Sequence, residues 1–135
     1  MIDVKAADRE LQFYIRPQTF PVAIRMLRLG EPVPDKARRP ARDFKKLSMN
    51  CQVIDMARRY GWMIALTRED SICSLGIAAL GLEKPTHLHK SGTLCEGMYT
   101  ETKTAGQRSQ AAVDQFAPGD YHALLVAPLD RAPFE

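Results

Sequence analysis

The sequence predicts an α/β fold: a mixed sheet of about three strands with helices packed on it, in one domain over residues 1–135. Three observations predict it. Apolar residues at helical spacing and short apolar or alternating runs follow one another along the chain. Capping and stopping residues separate them. A length of 135 residues with 45% hydrophobic content suffices for one core and not for two.

Ala7, Leu11, Tyr14 and Ile15 give residues 5–16 the spacing of a helix, which Pro17 ends. Phe20–Leu27 alternates, with Val22, Ile24 and Met26 on one side, and reads as a strand; Pro21 suits only its beginning, because proline brings no N–H to a ladder. Residues 30–47 hold three prolines and little apolar periodicity. They read as a long basic, proline-rich loop, expected to be mobile and to contribute little to the core.

Ser48 suits the N-cap of a helix running through Tyr60, with Val53, Met56, Ala57 and Tyr60 on its inner face and Gly61 as its stop. Trp62–Leu66 is an unbroken apolar run, as expected of a strand buried on both faces. Asp70 or Ser71 caps a second helix with Cys73, Ile77 and Leu80 on one stripe, closed by Gly81. Pro85–Gly92 reads as a connection. Thr93-Leu-Cys-Glu96 has the form of a capping box before a poorer helix weakened by Gly97 and Gly106. Pro118-Gly119 breaks that helix, and Tyr121–Ala127 is the last strand. With no helix after it, apolar surface would stay uncovered, so the fold is expected to be truncated and to lean on a homodimer partner or a second half.

The formal net charge of +3 is segregated. Between Lys36 and Lys46 stand six basic residues and one acid, Asp43, a local +5 that leaves the rest of the chain at −2. Only Phe44 interleaves with this cluster and no recognition-helix pattern accompanies it, so nucleic acid is the third reading, behind a solvated loop or a lid for an anionic small molecule. The first ten residues show no apolar signal region, and no apolar run approaches membrane-spanning length. The expected compartment is the cytoplasm, where three cysteines point to free thiols, ligands or catalysis before disulfides.

Cys51 and Cys73 are each expected at the start of a helix, with the Trp62–Leu66 strand between them. A helix start offers unpaired N–H groups and the positive end of the dipole, which favour a thiolate, the form that ligates metals and attacks electrophiles. Two such starts on neighbouring β–α junctions would converge on one pocket. The alternative reading makes both cysteines small buried residues. Cys95 is a candidate third thiolate, and three thiolates with an open position would suit an iron–sulfur cluster or a thiophilic metal. Ser71, Ser74 and Gly76 add anion-binding potential. His87 and His89 alternate and would ligate a metal on an extended segment, against a reading as solvated loop residues; His122 is expected to pack. The cysteines recur every 22 residues, but the sequences between them do not repeat. No nucleophile–base–acid arrangement or carboxylate pair of recognisable spacing stands in the chain.

Phe20-Pro-Val-Ala-Ile24, Cys51-Gln-Val-Ile-Asp-Met-Ala-Arg58 and Ser71-Ile-Cys-Ser-Leu-Gly76, running into Ala79-Leu-Gly-Leu82, together resemble domain-of-unknown-function family 169, the archaeal conserved region family. The resemblance covers residues 10–82 and continues more diffusely to 127. It implies that Cys51, Cys73, Gly76 and Gly81 are family-pattern positions, and that a further α/β half carrying another Gly-Cys element belongs to many members. The function expected is cytoplasmic binding of a cofactor or metal through Cys51 and Cys73, with Ser71 and Gly76 beside them and Cys95 as a further metal ligand. The alternative is a binding module for an anionic small molecule, contacted by the helix starts and the basic loop.

Overall fold

In the computed structural model, which describes residues 3–113 and 116–133, three strands form the sheet: β1 (Val22–Arg28), β2 (Ile64–Thr67) and β3 (Tyr121–Pro128). Their order is β1-β3-β2, with both pairings antiparallel. The last strand in sequence therefore lies in the middle, where its run of six buried residues from Ala123 to Pro128 is satisfied on both sides. Leu124 stands opposite Met26 on one side and Leu66 on the other. A parallel bridge on the outer edge of β2 gives the sheet its mixed character: Arg38 N–H donates to Met63 O at 2.9 Å, and Ala65 N–H to Arg38 O at 2.9 Å.

Alternation along the strands sorts side chains into two cores. Ile64, Leu66, Leu124 and Val126 pack beneath Val53 and Ala57 of α2 (Asn50–Tyr60). Leu27, Ala65, Ala123 and Leu125 form the opposite core with Ala37, flanked by Val33. The second face is thus covered by the segment expected to be a mobile loop of little account to the core. Its prolines and charges do not prevent this, because the small Ala37 and the buried Pro40 turn inward while the lysines stay outside. A π-helical turn, Pro40–Phe44, shapes the segment.

Helix α1 (Val4–Tyr14) begins where Asp3 Oδ1 accepts from Lys5 and Ala6 N–H at 3.0 and 2.9 Å. In α2 the cap is Met49 rather than Ser48, since Ser48 backbone is engaged with Asp70 and Ile72; Gln52 Oε1 reaches back to Met49 N–H at 2.8 Å. Gly61 ends α2 as expected, but Tyr60 lies exposed.

Asp70 closes a 3₁₀ turn (Arg68–Asp70) instead of capping the next helix, and α3 (Ser74–Ala79) starts after Cys73. Pro85–Gly92 contains a helical turn, α4 (His87–Lys90). The capping box at Thr93–Glu96 opens no helix; turns fill the stretch, and α5 runs Lys103–Val113. Gly92 explains this. At φ +76 it turns the chain against α5, where a Cβ would fall 2.2 Å from Lys103 O, and Cys95 N–H then donates back to Gly92 O.

Candidate functional site

The two cysteine-bearing helix starts lie side by side. Ser48 and Ser71 form a parallel bridge, in which Ser48 N–H donates to Asp70 O at 2.9 Å and Ile72 N–H to Ser48 O at 3.2 Å. Cys51 follows three residues after one partner, in the first turn of α2, and is exposed. Cys73 follows two residues after the other and is half-buried as the N-cap of α3, its Sγ accepting from Gly76 N–H at 3.3 Å. Ser71 is buried, and its Oγ accepts from Cys73 N–H at 3.1 Å, so it shapes the turn beneath the thiol.

Asn50 and Gly76 stitch the two starts together. A Cβ on Gly76 would fall 2.5 Å from Asn50 Nδ2, so only glycine lets the asparagine lie on the first turn of α3. Asn50 Oδ1 is buried there without a hydrogen-bond partner among the described residues. Asn50 was not anticipated from sequence; a helix-start asparagine before a cysteine is the signal that was available.

Cys95 does not join them. It is 2% exposed, in turns rather than at a helix start, and its Sγ accepts from Gln110 Nε2 at 3.0 Å. Among the described residues no group of three or more His, Cys, Asp or Glu is placed to hold a metal ion. Cys51 and Cys73 are two free thiols on adjacent helix starts. They fall short of the three or four thiolates of an iron–sulfur cluster.

The histidines also separate. His87 is exposed, whereas His89 is 4% exposed and structural. Its Nδ1 accepts from Thr86 N–H at 3.1 Å, which leaves Nε2–H to donate to Ser74 O at 3.1 Å. The ring therefore ties α4 to α3. His122 is half-buried and its Nε2 meets Glu31 O at 2.8 Å.

The basic segment divides by partner. Arg39 turns inward to the fully buried Asp70, and Arg42 pairs with Asp43, holding the Asp43 carboxyl at about 2 through its side-chain hydrogen bond. Arg38 lies 4.1 Å over the Trp62 ring, which Phe44 also stacks against. Lys36, Lys45 and Lys46 are exposed and form no ion pair among the described residues.

A cleft of about 240 Å³ opens between α3, α4 and α5. Ala78, Ala79, Pro85 and Ala111 make its apolar wall, with His89, Lys90, Gln107 and Gln110 as the remaining lining. No helix among the described residues is long and apolar enough to cross a membrane.

The chain belongs to the family described as uncharacterised ArCR, domain of unknown function 169, which matches residues 10–135, most of its length. No curated protein and no solved structure matches it.

Proposed function

We propose that this ArCR family member binds a thiophilic metal ion, or a cofactor containing one, through Cys51 and Cys73 in the cytoplasm. One observation carries the reading: the Ser48–Ser71 bridge sets two cysteine-bearing helix starts side by side, with Cys51 open to solvent. The unpartnered Asn50 Oδ1 supports it, since a buried acceptor without a donor is costly unless a cation or proton donor meets it. Gly76 N–H donates to the Cys73 sulfur and Ser71 Oγ accepts from the Cys73 N–H, so both act as positioning residues. A bound ion would supply Lewis acidity at its open positions.

An iron–sulfur form of this reading takes its remaining thiolates from a second copy or a second half. Leu47, Met49 and Ile72 flank the cysteines with exposed apolar side chains, 61% exposed in the case of Ile72, which supports such an association. A second reading, an anionic small molecule at the basic segment, is favoured by the exposed Lys36, Lys45 and Lys46, which form no ion pair among the described residues; Lys36 lines the open hollow by Trp62 together with Arg38 and Arg42, and with Asp35 and Asp43. Nucleic acid at the same segment ranks below it.

The test is anaerobic purification, metal analysis and titration with Co²⁺, whose thiolate charge-transfer absorption reports sulfur ligation. Cys51→Ser and Cys73→Ser should each remove the absorption and Cys95→Ser should leave it. Absorption that survives both single substitutions, or none in the native chain, would overturn the reading.

A further inference from the structure

The α3–α4–α5 cleft carries a second and independent assignment. Its shape is held in advance, because both ring nitrogens of His89 are engaged, one with Thr86 on α4's own cap and one with Ser74 on α3. Three alanines, Ala78, Ala79 and Ala111, leave the volume that larger side chains would fill. At about 240 Å³ the cleft lies below the ~300–1,000 Å³ usual for drug-sized ligands, so its occupant is smaller.

The polar lining selects the charge. Lys90 is exposed at the cleft and forms no ion pair among the described residues, and none of the described lining residues is a carboxylate. Gln107 and Gln110 stand three residues apart, on one side of α5. Gln110 already spends an N–H on Cys95 Sγ, which fixes its amide. One cation, two amides and an apolar wall match a monoanion with an apolar body. A phosphate dianion would leave a charge uncompensated against apolar surface.

We infer that this cleft is a binding site for a small monocarboxylate with an apolar body, its carboxylate at Lys90 and its body against Ala78, Ala79 and Ala111.

The test is titration of the ¹⁵N-labelled full chain, followed by NMR, with benzoate, hexanoate, neutral benzamide and inorganic phosphate. Benzoate and hexanoate should shift the amides of Ala78, Ala79, Gln107 and Ala111 saturably. Benzamide should bind about three-fold more weakly, the scale of an exposed ion pair, and Lys90→Gln should bring benzoate to the benzamide level. Ala111→Phe, at an exposed position, should fill the cleft and abolish the shifts while the rest of the spectrum is kept. The inference is overturned by an absence of saturable shifts, by equal binding of benzoate and benzamide, by phosphate matching benzoate, or by shifts confined to residues 36–46 that survive Ala111→Phe.

Discussion

Arg39 and Asp70, thirty-one residues apart, join the basic segment to the end of β2: Arg39 Nε donates to Asp70 Oδ2 at 2.8 Å. Asp70 is 0% exposed, and its carboxylate also accepts from Thr67 Oγ1 at 2.7 Å, Thr67 N–H at 3.0 Å and Ala41 N–H at 3.1 Å. With so many donors the buried charge is compensated. Removing one partner leaves the other charge unmatched, so Arg39→Ala should destabilise by about 3–5 kcal/mol, the scale for breaking a buried pair. Urea unfolding measures this; a loss below about 1 kcal/mol would show that the amide and hydroxyl donors alone suffice.

Acid stability depends on the same carboxylate. Burial by itself would raise the Asp70 pKa, but the hydrogen bonds from Thr67, Ala41 and Arg39 outweigh it and hold the group below its ordinary value. A depressed folded pKa gives stability that is fully present above the unfolded value of about 3.9 and is lost as pH falls through the folded value. The urea midpoint should therefore drop as pH is lowered below about 4, and Asp70→Asn should flatten that drop. An equally steep acid limb in the variant would assign it to other carboxylates.

Deleting Lys36–Arg42 should abolish cooperative unfolding or lower its midpoint sharply. The deletion removes Ala37 from the second core, the buried Pro40 and the Arg39 clamp together. The narrower change Ala37→Asp, a charge placed beside Leu27 and Leu125, should cost several kcal/mol by the penalty for burying an unpaired charge. A thermal melt unchanged by either would return this segment to the role of a dispensable loop.

Gly76→Ala should destabilise by about 1–3 kcal/mol, because the new methyl meets the Asn50 amide. Asn50→Ala frees that space and removes a buried acceptor that lacks a donor, so by itself it should cost little. In a double-mutant cycle the pair should couple, the second substitution rescuing the first. Additive effects would mean that the two residues do not press on one another in solution.

Local chemistry determined much of this protein. The α1 and α2 helices and the three strands were legible from apolar spacing and breakers to within a few residues, because periodicity and capping act over one or two turns of chain. The positions of Cys51 and Cys73 near helix starts were legible for the same reason. The capping box at Thr93–Glu96 misled, since the close approach of Gly92 to α5 overrides a local preference. What only the tertiary structure decided was set by contacts between distant residues. Strand order put β3 in the middle, Arg39 and Ala37 drew a charged segment onto the sheet, and His89 became a buried tie between helices. The adjacency of the two thiol-bearing helix starts belongs to this second group. It depends on the Ser48–Ser71 bridge, and hydrogen bonds between segments more than twenty residues apart leave no period in the sequence to read.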